Sequence, residues 1–329
     1  MSDIAVFSRV RLARNYEDLP FRSKITREQS EACVQRTLNA LRVLPEAYSF
    51  LPLRGMEENE KKSLMEAHLI TPDLMEHEDQ GAVLIRMDQT VSVMMNEEDH
   101  LRIQGFGAGE NLTEAADRAF AIDDVLQGQL TFAFDPQLGY LTACPTNAGT
   151  GLRASMLLHL PMLTLYKQMG KVNQLAAKLG LTLRGVYGEG NEAQGNLYLL
   201  SNQATLGRTE KEMMDAVSAT ARQMAEMERV YRAKAWDKDR TLFEDQLFRS
   251  YALLTYARLM PIREFMGHWS NLRLGAAMEK LPVSAAVCDR LLTAAQPAHV
   301  AKAAGAAMNE KETDACRSEL IRQALKNGG

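Results

Sequence analysis

GAVLIRMDQTVSVMM, residues 81–95, is the stretch that shows most clearly how this chain folds. Apolar residues predominate before and after Asp88 and Gln89, a pair suited to a tight turn, so the stretch predicts an antiparallel hairpin. A second hairpin is predicted where the runs Leu130–Phe134 and Tyr140–Cys144 flank a loop that contains proline and glycine. This region is therefore expected to form an antiparallel sheet.

Helical and strand patterns alternate further along the chain. The run Leu152–Gly170 is predicted to be helical, with a break or kink at Pro161, because a proline inside a helix removes a backbone hydrogen bond. Two apolar runs, Leu181–Tyr187 and Gly195–Ser201, are predicted strands. The middle of the chain is therefore expected to be a mixed sheet with helices.

The C-terminal part is predicted to be helical. Thr209 and Glu212 have the spacing of a capping box, and the amphipathic pattern that follows predicts one long helix to about Trp236. Beyond this helix the strand patterns disappear, and Ala, Leu and Arg predominate between scattered prolines. We therefore predict an α+β domain over residues 1–236, with a mixed or antiparallel sheet flanked by helices, and an all-α domain over residues 237–329.

The composition is that of an ordinary globular protein. The 329 residues are 46% hydrophobic and 24% charged, which is enough to bury a large core. The formal net charge of −4 provides no overall basic field, so no direct nucleic-acid partner is expected. The first residues carry arginines where a secretory signal needs an apolar run, and no stretch is long and apolar enough to span a bilayer, so we expect a cytoplasmic location without a membrane partner. The cysteines are scattered, which favours reduced thiols over disulfides or a zinc site.

The sequence lacks the familiar nucleotide-binding motifs. It contains no GxxxxGK[ST] loop, and the run GFGAG at residues 105–109 lacks the third glycine of a dinucleotide-binding loop. No HRD and DFG pair indicates a protein-kinase fold. Any phosphate binding must therefore use other groups.

Arginines near turns and strand ends are the candidates for phosphate binding. Arg9 and Arg11 lie on the same side of an extended segment, because side chains alternate faces along a strand, and two guanidinium groups on one face suit an oligophosphate. Arg102 follows an acidic run, Arg153 follows a small-residue loop, and Arg184 precedes a glycine-containing turn. Each of these arginines taken alone is more often a solvated surface residue.

Four further residues have a functional and an ordinary interpretation. Glu98 and Glu189 are candidates for acid–base chemistry, although acidic runs are more often solvated turns. Cys144 precedes a proline and is by default a small buried hydrophobe, and His68 is by default a partly buried histidine. The residues taken singly leave these alternatives open.

The same residues lie in four blocks that resemble, in order, those of the guanidino phosphotransferase family, which includes the creatine and arginine kinases. The blocks are SRVRLARN at 8–15, NEEDHLR at 96–102, CPTNAGTGLRAS at 144–155 and RGVYGE at 184–189. Within the family the chain is most similar to the bacterial protein arginine kinases of the McsB type. The resemblance covers nearly the whole chain and is weaker over the last hundred or so residues.

The resemblance implies a site that transfers a phosphoryl group from ATP, bound with Mg²⁺, to a guanidinium group. Glu98 and Glu189 would hold the guanidinium and accept its proton, with Cys144 assisting beside it, and no protein side chain is assigned to the metal. The positions that match nucleotide-binding residues of the family are Ser8, Arg9, Val10, Arg11, His68, Arg102, Arg153, Ala154, Ser155, Met156, Arg184, Gly185, Val186, Tyr187 and Gly188.

The arrangement of the blocks resembles that of kinases that act on arginine side chains of proteins. The first block begins at Ser8, without the N-terminal helical domain of the kinases of free creatine or arginine, and the extra helical segment follows the catalytic domain, where dimerisation, substrate binding or regulation is expected. The implied partners are protein substrates with accessible arginines, an activator protein, Clp-type protease machinery and a second copy of the chain, in a stress or quality-control response. A kinase of free arginine or another guanidino metabolite and a non-catalytic phosphoarginine-binding adaptor are the alternatives.

Two positions depart from the family pattern. Phe7 stands where relatives usually have Ser or Thr, which removes one polar contact to the nucleotide. The stretch Thr313–Ser318, TDACRS, aligns with an RDxxRA motif through which phosphoarginine exerts allosteric control. The first arginine of that motif is missing although Asp314 and Arg317 remain, which argues against control by this route.

Overall fold

The computed structural model describes residues 3–187, 193–306 and 308–327, and the chain divides into two compact units. The first unit consists of Phe7–Met156 and Ser201–Ser218, and the second of Met1–Val6, Leu157–Leu200 and Ala219–Gly329. The strands are β1 Ala5–Arg14, β2 Tyr48–Pro52, β3 Ala82–Arg86, β4 Val91–Met95, β5 Leu101–Ala108, β6 Phe134–Asp135, β7 Gly139–Tyr140, β8 Leu152–His159, β9 Leu181–Tyr187 and β10 Ala193–Asn202. Strands β1, β8 and β10 have residues in both units.

Helices lie between these strands along the chain, and the described elements that follow β10 are all helices. The helices are α1 Arg27–Leu41, α2 Glu58–Glu66, α3 Pro72–Glu76, α4 Leu112–Gln127, α5 Pro161–Leu165, α6 Met169–Lys178, α7 Glu210–Lys238, α8 Arg240–Tyr256, α9 Ile262–Ala277, α10 Ala285–Ala294, α11 Pro297–Ala304 and α12 Glu310–Asn327. The predicted α+β class, with a sheet flanked by helices and a helical C-terminal region, is confirmed. Among the described residues, no helix combines the length and apolarity that a membrane span requires.

The sheet of the first unit has the strand order β2-β3-β4-β5-β1-β8, and its first five strands pair antiparallel. The predicted hairpin over residues 81–95 is confirmed as β3 and β4, with Ala82 opposite Met95. The second predicted hairpin is also present, but its paired part is only β6 and β7, with Phe134 opposite Tyr140. The loops on both sides of that short pair carry the rest of the two predicted strands.

The predicted helix over Leu152–Gly170 is wrong in its first half. Residues 152–159 form strand β8, whose Leu152, Leu157 and Leu158 are buried. A strand that is buried on both faces lacks the regular alternation of apolar and polar residues, and periodicity alone does not distinguish such a run from a buried helix. Pro161 does not break a helix but begins α5 at its first position, where the missing N–H costs nothing.

Helix α4 packs tightly on β5 because two glycines of that strand allow close approach. A Cβ atom on Gly105 would lie 2.1 Å from the carbonyl oxygen of Ala115, and one on Gly107 would lie 2.2 Å from that of Asn111. Both distances are far inside van der Waals contact, so a side chain at either position would push the helix away. The GFGAG run therefore serves helix–strand packing, and the other face of β5 remains available for a site.

The second unit contains strands in the order β8-β10-β9 and the helical C-terminal part. The predicted strands at 181–187 and 195–201 are confirmed as β9 and β10. Helix α9 packs against α8 and α10, and α12 packs against α8, α10 and α11. The indole N–H of Trp269, a fully buried residue of α9, donates to the carbonyl of Cys288 at 2.7 Å.

The long helix predicted after Thr209 is confirmed as α7, Glu210–Lys238. Its capping box is formed, since the N–H of Thr209 donates to the Glu212 carboxylate at 2.8 Å and the N–H of Glu212 donates to the Thr209 hydroxyl oxygen at 3.2 Å. Both cap residues belong to the first unit.

Candidate active site

Arginines from neighbouring strands of the first unit share one face of the sheet. Across the β1–β5 pair, Arg9 lies opposite Phe106, Arg11 opposite Gln104, and Ala13 opposite Arg102. Because directly opposed residues of an antiparallel pair point to the same face, Arg9, Arg11 and Arg102 all project to one side. The alternation predicted from Ser8 to Arg11 is thus present in strand β1.

The guanidinium groups on this face are close enough to repel one another. The pKa of Arg11 is lowered well below its usual value, first by burial and then by the charges of Arg9, Arg102 and Arg153, with Glu97 opposing the shift. The Nε atom of Arg11 is also buried without a hydrogen-bond partner. A buried donor in a cluster of like charges is costly unless an anion compensates it, so the cluster fits a multiply charged anion such as a triphosphate.

Hydrogen bonds hold the strands that carry these arginines. The Ser155 hydroxyl donates to the carbonyl of Arg9 at 3.3 Å, and the Ser8 hydroxyl donates to the carbonyl of Gly109 at 2.7 Å. Arg153 donates from Nη2 to the Ser201 hydroxyl oxygen at 3.4 Å. Three other predicted nucleotide-binding positions, Val10, Ala154 and Met156, are fully buried, so their side chains support the strands from within the core.

His68 lies beside the arginine face in a strained loop. Its φ angle of 61° is in the left-handed region, and the Gln104 side chain of β5 donates to its carbonyl at 3.2 Å and to that of Leu69 at 3.3 Å. Burial and the charges of Arg9 and Arg11 lower the pKa of His68 to about 3, so the imidazole is neutral at physiological pH.

Phe7, the residue that departs from the family pattern, packs against this histidine. Its ring centroid lies 5.2 Å from that of His68 and 6.3 Å from that of Phe106. The hydroxyl that Ser or Thr would provide is therefore replaced by an aromatic surface. Leu64, Leu69 and other apolar residues of the core beneath hold the loop in place.

The acidic run contains two glutamates in different environments. Glu97 is fully buried, forms an ion pair with Arg102, and accepts hydrogen bonds from the Thr71 hydroxyl at 2.6 Å and the Glu98 N–H at 2.6 Å. The Glu98 side chain is 39% exposed, and its Oε2 lies 3.1 Å from Nη2 of Arg102. Glu97 therefore stabilises the loop from its buried side, and the Glu98 carboxylate remains accessible from solvent.

The carboxyl group of Glu98 holds a proton more tightly than an ordinary glutamate does. Its pKa is raised, first by burial and then by the nearby carboxylates of Asp99, Glu97 and Asp73, while Arg102 opposes the shift. A carboxylate with a raised pKa is a stronger base at neutral pH than an ordinary glutamate. Arg22 anchors this acidic loop, because its Nη1 donates to the carbonyl of Glu97 at 2.6 Å and to Asp73 at 3.0 Å.

Asp99 connects the acidic run to the loop that carries Cys144. Its Oδ1 accepts from the N–H of Ala143 at 2.7 Å and from the Asn15 side chain at 2.7 Å. Asn15 in turn donates to the carbonyl of Leu141 at 3.0 Å. These bonds fix the residues that immediately precede Cys144, whose sulfur lies 3.0 Å from the Thr146 hydroxyl.

Arg14, the last residue of β1, holds the other end of the same loop. It forms a buried, two-pronged ion pair with Asp123, with contacts of 3.0 Å and 2.7 Å. Its Nη1 also donates to the carbonyl of Thr150 at 2.9 Å, and its guanidinium lies 3.6 Å from the ring centroid of Tyr140. Arg14 therefore ties strand β1 and helix α4 to the residues that lead into Arg153.

The predicted site residues of the 184–189 block fall in the second unit or outside the described residues. Arg184 is exposed on β9, followed in the same strand by Gly185, Val186 and Tyr187. Gly188 and Glu189 lie outside the described ranges. Within residues 3–187, 193–306 and 308–327, the structure shows no group of three or more His, Cys, Asp or Glu side chains that could hold a metal ion.

The residues that support the site were not predicted from the sequence. Glu97 and Asp99 were visible in the NEED run but indistinguishable from Glu98, because only the folded chain shows which carboxylates are buried. Thr71 and Arg22 are distant in sequence and carry no motif. Apolar and polar residues alternate around Arg102, and this local pattern indicates a strand with one polar face.

Comparison with known proteins places the chain in a family. A model of the ATP:guanido phosphotransferase C-terminal catalytic domain matches residues 29–231, and a model of the protein-arginine kinase McsB C-terminal domain matches residues 240–328. The chain belongs to the ATP:guanido phosphotransferase family. The resemblance in the four sequence blocks is thereby confirmed, and ATP is the phosphoryl donor of the kinases of this family.

Relatives named protein-arginine kinase span nearly the whole chain. A protein-arginine kinase of Caldanaerobacter subterraneus is 39% identical over 327 residues, which cover 98% of this chain and 97% of that protein. One of Syntrophomonas wolfei is 42% identical over 340 residues, which cover 99% of this chain and 93% of that protein. Among solved structures, lombricine kinase matches with a TM-score of 0.62 at 25% identity, over 71% of this chain and 68% of that one. The duplicated taurocyamine kinase of Schistosoma mansoni matches with a TM-score of 0.61 at 30% identity, over 68% of this chain and 33% of that one.

Proposed function

We propose that this chain is a protein arginine kinase, which transfers the γ-phosphoryl group of ATP to arginine side chains of proteins. The observation that carries the proposal is the match of residues 240–328 to the protein-arginine kinase C-terminal domain, in addition to the catalytic-domain match. Relatives named protein-arginine kinase cover 98% or more of the chain, whereas the structures of lombricine and taurocyamine kinases cover 71% and 68%.

The acceptor side of the proposed site rests on Glu98. A guanidinium group is cationic with a pKa above about 12, so its nitrogen attacks phosphorus only as a proton is removed. Glu98 is accessible and has a raised pKa, which suits it to hold the guanidinium and take that proton. By family resemblance Glu189 is its partner, and Cys144 lies beside the guanidinium as an assistant without forming a covalent bond.

The donor side rests on the arginine face. Arg9, Arg11, Arg102 and Arg153 provide fixed positive charge for the triphosphate and for the oxygens of the migrating phosphoryl group. Arg184 is assigned to the same role by family resemblance. Mg²⁺, when bound with ATP, would neutralise part of the phosphate charge.

Asp314 and Arg317 do not have the contacts of an open phosphoarginine receptor. Arg317 is buried, and its guanidinium pairs with Asp314 at 2.5 Å while donating to the carbonyls of Ala295 at 2.7 Å and Met260 at 2.8 Å. These internal bonds engage Nε and Nη1 of Arg317 and join α12 to the loops before α9 and α11. The contacts support the view that this pair is structural.

The remaining parts of the proposal come from the sequence patterns and from family resemblance. They are the division into a catalytic domain over residues 1–236 and a C-terminal domain over residues 237–329, a homodimer, an activator protein, Clp-type protease machinery, and a stress role in the cytoplasm. The alternative is a kinase of a free guanidino compound, and the matched solved structures are those of a lombricine kinase and a taurocyamine kinase. A non-catalytic adaptor is less consistent with the chain, since a binding module has no need of an accessible base beside an arginine cluster.

Mass spectrometry of products tests the proposal. The protein is incubated with Mg²⁺ and ATP and either an unfolded, arginine-rich protein or free arginine at equal arginine concentration, and the products are analysed at neutral pH because an N–P bond is labile in acid. We expect phosphate on arginine side chains and slow turnover of free arginine, because only the protein adds contacts beyond the guanidinium. Rapid turnover of free arginine without any protein phosphoarginine would favour the alternative.

A further inference from the structure

The first unit has an open groove beside the β6–β7 hairpin that the catalytic chemistry does not use. Its volume is about 400 Å³. Three large apolar side chains that line it are exposed: Phe134 by 57%, Leu138 by 49% and Leu206 by 52%. Exposed apolar side chains gathered around one groove mark a site that another molecule covers.

Two direct contacts connect this groove to Cys144. The sulfur of Cys144 lies 3.0 Å from the Thr146 hydroxyl, and the carbonyl of Thr146 lies 3.3 Å from the Thr205 hydroxyl. Thr205 lines the groove. Measured through these residues the groove wall is on the order of 10 Å from Cys144, so an extended chain that passes over the wall needs about three residues or more to join the two places.

The wall between the groove and Cys144 is closely packed. Tyr140 and Gly149 pair through two backbone hydrogen bonds of 2.7 Å and 3.3 Å, which close the loop that carries Cys144. Gly149 has a φ angle of 109°, and a Cβ atom there would lie 2.9 Å from the carbonyl oxygen of Thr205. The ring of Phe134 packs edge-on against Tyr140 at 5.2 Å between centroids. The groove is therefore formed before any partner binds, which reduces the entropic cost of binding.

The formal charge of the groove lining favours a cationic partner. Of the residues that line the groove, Glu210 and Glu212 are acidic and Arg208 is basic, which gives a net charge of −1, and the Glu212 carboxylate also caps α7. A segment rich in arginine has the complementary charge, and apolar side chains of the same segment complement the exposed ring and leucines.

Building on the proposed function, we propose that this groove binds the polypeptide acceptor on one side of the target arginine. It takes an apolar side chain about three residues from that arginine while the guanidinium reaches Glu98. The groove therefore selects arginines that have an apolar residue nearby. Such arginines become accessible in unfolded proteins, where core residues are exposed.

Kinetics with matched acceptors test this inference. The acceptors are a short peptide with one arginine and a leucine three residues away on each side, the same peptide with serine in place of both leucines, and N-acetylarginine amide. The variants are Leu138→Ser and Leu206→Ser, and the control is Met87→Ser, which removes an apolar side chain of the same unit that is 69% exposed and does not line the groove. Retention of kcat with N-acetylarginine amide shows that the variants are folded.

We expect each groove variant to raise KM for the leucine peptide by about tenfold, the effect of removing one apolar side-chain contact, and to leave kcat unchanged. The serine peptide, N-acetylarginine amide and the Met87→Ser control should show no such change. Unchanged KM for the leucine peptide, or an equal loss with all three acceptors, would overturn the inference, as would groove variants that alter only the dimer mass in sedimentation. If wild-type protein phosphorylates no peptide but turns over N-acetylarginine amide, the proposed function itself fails, and this outcome differs from active wild-type protein with silent groove variants.

Discussion

Substitution of the two adjacent glutamates by glutamine is predicted to separate folding from catalysis. Glu97 is buried against Arg102 and accepts two further hydrogen bonds, from Thr71 and from the Glu98 N–H. Glu97→Gln removes a buried carboxylate and its ion pair and leaves Arg102 with the partly exposed Glu98 as its acidic partner, so we expect the free energy of unfolding to fall by about 1–3 kcal/mol. Glu98 shares the same arginine but is 39% exposed, and removal of its half-exposed pair should cost about 0–1 kcal/mol.

Glu98→Gln, which should change stability least, should have a large effect on kcat. Glutamine keeps the shape of Glu98 but cannot take a proton from the acceptor, so Glu98→Gln should lower kcat by about 100- to 10,000-fold. The affinity for ATP should be nearly unchanged, because Arg102 keeps its bond to Glu97 and the other arginines of the face are untouched. Urea denaturation measures the unfolding free energies, and steady-state kinetics with a protein acceptor gives kcat.

The pH dependence provides an internal check on Glu98. Its raised pKa means that the folded protein binds this proton more tightly than the unfolded chain, so the stability that Glu98 contributes is present at low pH and is lost as pH rises through the folded pKa. The acidic limb of the wild-type kcat profile should therefore lie above the pKa of an ordinary glutamate and should be absent from the residual activity of Glu98→Gln. Equal stability losses in Glu97→Gln and Glu98→Gln, or wild-type turnover in Glu98→Gln, would refute the assignment of separate roles.

Three further predictions follow from the same unit. Arg153→Lys should reduce kcat by at least about tenfold in steady-state assays, because lysine keeps the charge but not the planar fork that binds two phosphate oxygens, and wild-type kinetics would remove Arg153 from the phosphate site. Arg14→Met and Asp123→Asn should each cost about 3–5 kcal/mol in denaturation, whereas the double variant should cost less than the sum, and strictly additive losses would contradict a direct coupling. His68 has a folded pKa of about 3 against an ordinary 6.5, so its contribution to stability is lost as pH falls through this range, at up to about 1.4 kcal/mol per pH unit. His68→Gln should show a shallower loss between pH 6.5 and 4, and superimposable stability curves would exclude this role.

Local signals in the sequence predicted the elements whose determinants are themselves local. The hairpin at 81–95 follows from alternation and a turn, and helix α7 begins at a capping box that requires only Thr209 and Glu212. Strand β8 was mistaken for a helix because both of its faces are buried, which is a property of its neighbours rather than of its own residues. Propensity and periodicity do not show whether distant parts of the chain cover both faces of a strand.

In the candidate site, too, some features could be predicted from the sequence and others could not. Family-like blocks supplied Arg9, Arg11 and Glu98, and strand alternation was sufficient to place the first two on one face. The different roles of Glu97 and Glu98 depend on Thr71 and on the position of Arg102 across the loop, which no spacing rule encodes. The placement of Glu189 lies outside the described residues, and its role stays a prediction.

The arginine face makes the stability of this protein depend on its ionic surroundings. Burial and three neighbouring cations lower the pKa of Arg11, so the ligand-free fold contains electrostatic repulsion that a bound polyanion relieves. By mass action, ATP at a hundred times its dissociation constant should stabilise the folded state by about 2.7 kcal/mol. Inorganic polyphosphate and sulfate should have the same effect at higher concentrations, so melting temperatures measured in phosphate buffer will exceed those in a buffer of weakly binding anions. The lifetime of the folded enzyme in a cell would then rise and fall with the supply of nucleotide.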